Sequence, residues 1–284
     1  MKGIVVKVQT NSYFVKVENN TVECIAKGLL KFKKTQILVG DYVEINEEEK
    51  VITKIFPRKN EFIRPPIANI DQMIIVVAST NPSPDLMLLD KQIVMAEKNG
   101  VEPIICINKI DLDADYSSII ETYQNIGYQV ITTTAKNGIG IDKIARIINN
   151  KITAFSGNSG VGKSALTNNI FNEEVALEGE TSEKLKKGKH TTKHVELFEF
   201  ASNSFIADTP GFSSFEIEGI SYKELEDYFI EFGSHLNDCE FRSCTHIKEV
   251  NCGIKRAVQK RKIDKGRYER YVQLYEKLKG EKKW

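Results

Sequence analysis

Gly157-Asn158-Ser159-Gly160-Val161-Gly162-Lys163-Ser164 has the residue types and spacing of a phosphate-binding loop. Glycines let consecutive backbone N–H groups close around phosphate oxygens, and a helix beginning at Lys163 would add its positive dipole end. Lys163 is placed to bridge β- and γ-phosphates, the Ser164 hydroxyl to ligate Mg²⁺, and Ala165 to continue the first helical turn. Asn108-Lys109-Ile110-Asp111 selects the base. A carboxylate at Asp111 accepts paired hydrogen bonds from N1–H and the exocyclic amine of guanine. Adenine would leave that acid unpaired, which is costly. Lys109 would lay its stem along the base plane and Asn108 would tie this loop to the phosphate loop.

Three further segments fit the same ligand. Thr134-Ala135-Lys136 ends an apolar run and offers a backbone N–H to the guanine carbonyl. Asp208-Thr209-Pro210-Gly211 places an acid for water-mediated Mg²⁺ contact and a glycine N–H, at Gly211, for the γ-phosphate. Gly188-Lys189-His190-Thr191-Thr192 suits a loop that orders around the cation and γ-phosphate, either threonine being able to ligate Mg²⁺, with Thr192 assigned here. Many GTPases carry a water-orienting glutamine just after the Asp-x-x-Gly glycine. Phe212 stands there, so slow intrinsic turnover is expected. His190 is the internal candidate to orient water, the other reading being a solvated loop histidine. The motif order is unusual: base loop (108–111) and 134–136 come first, then the phosphate loop, then 188–192 and 208–211. That order is a circular permutation of the usual one.

The elements that must position these loops follow from hydrophobic periodicity. Gly3 to Gln9, Tyr13 to Glu18, Thr21 to Ala26, Val39 to Ile45 and Val51 to Phe56 read as short strands, with a turn at Asn19-Asn20. Five such strands predict a small OB-type β-barrel, the other option being an extension of the next sheet. After Arg64-Pro65-Pro66 the pattern alternates: strands Asp71 to Ser79, Glu102 to Ile107, Gln129 to Thr133, Ile152 to Ser156, Val195 to Phe200 and Phe205 to Ala207. Between them run helices Leu86 to Lys98, Ser117 to Asn125, Ile141 to Asn149 and Lys163 to Phe171. This is an α/β doubly wound layer structure, whose ligands sit at the carboxyl ends of the strands. From Ser221 onward Tyr222 to Phe232 and Ile254 to Lys279 read as helices. The expected domains are 1–62, 66–218 and 219–284.

Permuted motifs, an N-terminal barrel, Gly-Lys-His-Thr-Thr and a Cys/His-rich connector together resemble the RsgA-type GTPases that assist small ribosomal subunit maturation. The resemblance spans nearly the whole chain. It implies an OB-fold, a circularly permuted GTPase domain, a C-terminal helical zinc-binding domain and ribosome-stimulated GTP hydrolysis. It places GTP or GDP contacts on Asn108 to Asp111 and Gly157 to Ala165. Lys189 departs from the arginine of the family's switch segment.

In that connector, Cys239, Cys244, His246 and Cys252 fall within 14 residues. Three thiolates and an imidazole suit tetrahedral Zn²⁺ with no open position, hence a structural role. The alternatives are three small buried side chains beside a surface histidine, or His235 as a rival ligand. Cys24 and Cys106 lie on predicted strands and read as core residues.

Composition sets the outer limits. The chain has 284 residues, 41% hydrophobic and 28% charged, which excludes a disordered protein. The longest apolar run, Met73 to Ala78, is six residues, against about 20 for a membrane span. Met1 to Lys7 lacks a signal peptide's apolar region and the five cysteines are an odd number, so a cytoplasmic protein without a disulfide framework is expected. Residues 1–60 carry a net charge of +4, residues 240–284 carry +8 and the middle carries −11. Lys255, Arg256, Lys260, Arg261, Lys262, Lys265, Arg267 and Arg270 fit phosphate-backbone contacts to RNA, the ribosome coming from the resemblance and the other reading being a solvated helix. The expectation is a monomeric GTPase on the small ribosomal subunit, with no membrane partner. Its rivals are a stand-alone switch acting on a protein and an RNA-binding scaffold with incidental turnover.

Overall fold

The computed structural model describes residues 1–10, 12–27, 36–178, 195–208 and 217–280. Strands β1 (Lys2–Val8), β2 (Tyr13–Val17), β3 (Asn20–Ala26), β4 (Tyr42–Asn46) and β5 (Val51–Ile55) form the N-terminal unit. Strand β1 pairs with both β2 and β4, and β3 and β4 each pair with β5, so the five close on themselves. Alternate residues point inward: Val5, Val15, Val17, Cys24, Ala26, Val43, Ile45 and Ile52 make the barrel core. The β2–β3 turn falls one residue earlier than expected, at Glu18-Asn19, because Asn20 pairs with Val17; Glu18 takes the positive φ of 49°. Val39 lies outside β4 and makes a lone bridge to Ile67. The Arg64-Pro65-Pro66 segment is the turn of a small hairpin, β6 (Glu61–Phe62) with β7 (Ile67–Ala68), which periodicity alone did not reveal.

The central layer contains β8 (Gln72–Ala78), α1 (Leu86–Lys98), β9 (Glu102–Asn108), α2 (Ser117–Ile126), β10 (Gln129–Thr132), α3 (Ile141–Ile147), β11 (Ile152–Ser156), α4 (Lys163–Glu178), β12 (Glu196–Ala201) and β13 (Ser204–Asp208). The strands lie in the order β10-β9-β8-β11-β13-β12. All neighbours are parallel except β12, which runs antiparallel to β13. Strand β8 is buried along its whole length. Met73, Ile75 and Val77 face a core shared with α1, through Leu89 and Ile93, and with α2, through Ile119 and Tyr123. Ile74, Val76 and Ala78 face the other core, with Ile141 and Ile144 of α3 and Leu166 and Ile170 of α4. The barrel joins this sheet through a bridge between Lys7 and Glu196, supported by ion pairs Lys7–Glu196 at 3.0 Å and Lys16–Glu199 at 2.6 Å.

The C-terminal unit departs from the expected two long helices. Residues Leu225–Tyr228 and Ile230–Asp238 are 3₁₀ turns broken at Phe229. The tighter three-residue period lets Phe229 and Phe232 pack side by side, ring centroids 5.4 Å apart, with Tyr271 edge-on to both. The second helix splits into α5 (Gly253–Gln259) and α6 (Lys265–Gly280). Arg261 sits at φ 57°, Ile263 is buried, and Asp264 accepts the Arg267 amide at 2.8 Å as an N-terminal cap. No helix among the described residues is long and apolar enough to cross a membrane.

Candidate nucleotide and metal sites

The base loop, residues 134–136 and the phosphate loop gather at one edge because parallel strands end there. In register, Ala78 faces Asn108, Thr132 faces Ile107, Ser156 faces Ile75, and Ala154 faces Ala207. The segments following β8, β9, β10 and β11 therefore leave the sheet on the same side, at which β13 also ends.

The phosphate loop owes its path to two glycines. A Cβ on Gly157 (φ +129°) would lie 2.1 Å from the Val76 carbonyl oxygen, and one on Gly162 (φ +99°) would lie 2.3 Å from Asn108 Nδ2. Only glycine fits either place. Helix α4 begins at Lys163, with Ser164 and Ala165 exposed in its first turn. The Lys163 ammonium donates to the carbonyls of Gly157 and Asn158, both at 2.8 Å, and burial holds its pKa below the usual lysine value. Ser159 and Gly160 are exposed at the tip, and Val161 is buried behind it. This open, glycine-lined cradle fits phosphate oxygens.

Asn108 connects three of the predicted segments. Its Nδ2 donates to the Val161 carbonyl at 2.8 Å, and its Oδ1 accepts from the Ala135 amide at 3.2 Å and the Thr133 hydroxyl at 3.1 Å. The Ile110 amide donates to the Thr133 carbonyl at 3.2 Å. The Ala135 carbonyl in turn accepts from Asn169 Nδ2 on α4. Asp111 and Lys136 are exposed at the rim. The Thr134 hydroxyl, followed by the nearby charges of Lys136 and Lys109, holds the Asp111 carboxyl below the usual aspartate range. Asp111 is thus ionised at neutral pH, as acceptance from two guanine N–H groups requires. Asp208 closes β13 beside the end of β11. His190, Thr191, Thr192 and Gly211 lie outside the described residues.

The second site is in the C-terminal unit. One ligand atom from each of Cys239, Cys244, His246 and Cys252 lies within 4.8 Å of all the others. Tetrahedral Zn–S bonds of about 2.3 Å require sulfurs about 3.8 Å apart, so the donor set fits Zn²⁺. His246 Nδ1 is 3.4 Å from Cys252 Sγ and 3.6 Å from Cys239 Sγ. On its far side, Nε2 lies 2.5 Å from Glu226 Oε2, which fixes Nδ1 as the metal-facing nitrogen. Glu226 is a functional residue the sequence did not reveal; nothing in its surroundings along the chain marks it. The Gly253 amide points at Cys239 Sγ (3.3 Å) and the Lys255 amide at Cys252 Sγ (3.5 Å), contacts suited to thiolates. Burial pushes the Cys244 thiol up to about 12, so holding three thiolates together calls for a cation among them. His235 stands apart, 3.9 Å from Asp238. Cys24 and Cys106 are core residues, and burial raises the Cys106 thiol to about 12.

Two of the residues read as RNA contacts are corrected here. Arg267 is fully buried, bound to Asp90 at 2.5 Å and Glu231 at 2.6 Å, and Arg270 also binds Asp90. Arg256 donates to the Asp238 carbonyl and Lys255 to that of Glu249. Lys260, Arg261 and Lys262 form an exposed basic corner between α5 and α6.

A six-stranded sheet in this order, with its base-reading loops ahead of its phosphate loop in the chain, defines a circularly permuted P-loop GTPase. Residues 55–218 match the family model described as RsgA GTPase, and residues 2–53 match that of the RsgA N-terminal domain. The chain belongs to the RsgA family of GTPases. It is a GTP hydrolase that works with GTP, GDP and Mg²⁺. Among curated relatives, proteins called small ribosomal subunit biogenesis GTPase RsgA match from end to end. The one from Alkaliphilus metalliredigens is 41% identical over 290 residues, covering 100% of this chain and 99% of that one. The one from Clostridium botulinum strain Eklund 17B is 43% identical over 291 residues and covers 100% of both. The crystal structure of YloQ, a circularly permuted GTPase, superposes with a TM-score of 0.84 at 34% identity, covering 100% of this chain and 96% of that one. YjeQ from Thermotoga maritima gives a TM-score of 0.85 at 34% identity, covering 99% of each.

Proposed function

We propose that this protein binds the small (30S) ribosomal subunit and hydrolyses GTP to assist its late maturation, with the subunit stimulating turnover. The observation that carries this reading is the end-to-end similarity, at about 40% identity, to relatives named for small ribosomal subunit biogenesis. The barrel at one end and the exposed Lys260-Arg261-Lys262 corner at the other support rRNA contacts through phosphates, which are salt-dependent and carry little sequence information. The protein acts as a monomer in the cytoplasm, with units 1–62, 66–218 and 219–284 serving as barrel, GTPase and zinc module.

In this reading Asp111 accepts the guanine edge, Lys109 flanks the base, and the Ala135 amide meets the guanine carbonyl. Residues Gly157 to Ala165 wrap the phosphates, and Lys163 spans β and γ. Ser164 and Thr192 hold Mg²⁺, which when bound supplies positive charge to the β- and γ-phosphate oxygens. Asp208 supports the cation through water and Gly211 the γ-phosphate. His190 orients the attacking water, since Phe212 offers no polar group.

Co-sedimentation with purified 30S subunits, together with GTPase rates with and without them, tests the proposal. Binding with stimulation is expected. Absence of binding favours a stand-alone switch, and binding without stimulation favours an RNA-binding scaffold.

A further inference from the structure

Ser79, the residue following β8, belongs to none of the predicted nucleotide motifs, yet it is buried against them at 4% exposure. Its amide donates to the Asn108 carbonyl at 2.8 Å, which extends the β8–β9 ladder by one step. Its hydroxyl donates to the Lys109 carbonyl at 2.7 Å. Lys109 has a φ of +63°, in the left-handed region that a long side chain rarely enters without being held there. Among the described residues its carbonyl has one other donor, the Leu112 amide at 3.0 Å. Two residues after Ser79, the carbonyl of Asn81 accepts the Lys109 ammonium. The segment 79–81 thus grips Lys109 at both ends. Pro82 then stands against the phosphate loop, its Cδ 3.8 Å from where a Cβ on Gly160 would lie.

We propose that Ser79 is a positioning residue for purine selection. It acts through the backbone of Lys109, holding the left-handed turn that aims Asp111 at the edge of the base. Without the hydroxyl, the Lys109 carbonyl keeps the Leu112 amide and the Lys109–Ile110 peptide keeps its bond to Thr133, but the turn is held less firmly. Relaxation of Lys109 toward negative φ then turns the following peptide and swings Asp111 away. The phosphate loop has holds that do not run through the Lys109 carbonyl, Gly157 against Val76 and the Asn108 side chain against Val161. Ser79 therefore governs which base binds and leaves the phosphate contribution alone. This inference rests on the assignment of Asn108 to Asp111 as the base loop.

The test measures dissociation constants for GDP and ADP, by displacement of a fluorescent GDP analogue, on the full chain and its Ser79→Ala, Ser79→Cys and Asp111→Asn variants. Losing one neutral hydrogen bond should weaken GDP binding by about 3- to 10-fold in Ser79→Ala. ADP binding and kcat at saturating GTP should stay as they are. Ser79→Cys, with a feebler donor of similar size, should fall between, and it carries the test if the alanine variant does not fold. A purely packing role would shift GDP and ADP together, and that result, or no shift in either, overturns the inference. Asp111→Asn should collapse the GDP preference; if it does not, the base-loop assignment itself fails. If it does while both Ser79 variants keep the native GDP-to-ADP ratio, only the role of Ser79 is lost.

Discussion

Arg267 on α6 donates to Asp90 on α1 at 2.5 Å, 177 residues away in the chain, and neither side chain has any exposure to solvent. The same guanidinium donates to Glu231 and lies 4.6 Å from the centre of the Phe229 ring. Tyr123 of α2 donates to Asp90 at 2.5 Å. One buried cluster therefore clamps the C-terminal unit onto two helices of the GTPase sheet.

Removing one partner from such a cluster leaves uncompensated charge in the interior. Arg267→Leu should destabilise the protein by about 3–5 kcal/mol, because it strands Glu231 and half-strands Asp90. Arg270→Leu should cost clearly less, as its side chain is 13% exposed and Asp90 keeps Arg267. Urea denaturation of the two variants checks this, and equal losses would contradict the ranking.

Glu226→Gln should lower zinc affinity by about 10- to 100-fold, since the carboxylate that orients His246 and raises its basicity is lost. Competition with a chromophoric chelator measures it. Chelation of the native protein should lower the melting temperature of the C-terminal unit and leave the GTPase sheet folded. A melting curve indifferent to EDTA would argue that the sulfurs pack without metal.

Asn108→Ala removes the donor to Val161 and the acceptor for Ala135 and Thr133 together. GDP affinity should fall by about 10- to 100-fold by calorimetry, from the loss of the three hydrogen bonds that hold the loops in place. A fall in thermal stability without a fall in affinity would mean that the three loops hold their positions independently.

Lys163→Ala should eliminate measurable GTP binding. His190→Ala should reduce subunit-stimulated kcat while leaving nucleotide affinity nearly unchanged. Stimulated rates matching the native protein would remove His190 from the mechanism.

The sheet and its loops were legible in the sequence because their signals are local. Leu86–Lys98 and Ile152–Ser156 begin and end where the periodicity puts them, and the phosphate loop announces itself through glycines that must reach positive φ. Contacts across the fold were not legible. Arg267 counts as one more positive charge until Asp90 and Glu231 are seen around it, and Glu226 looks like any surface acid until His246 meets it. The break at 260–264 was marked by Ile263-Asp264, an apolar residue before a capping acid, but a run of basic residues concealed it. The 3₁₀ turns at 225–238 carried no such mark, since their period comes from aromatic rings meeting Tyr271 edge to face.

A sheet that ends in an uncovered antiparallel strand invites a second molecule to add its own strand there. In this protein β12 ends the GTPase sheet, and β1 of the barrel meets it in an antiparallel bridge at Lys7 and Glu196, with the ammonium groups of Lys7 and Lys16 bound to Glu196 and Glu199. The barrel thereby occupies part of the flank of the GTPase sheet, where an incoming strand would have to compete with it.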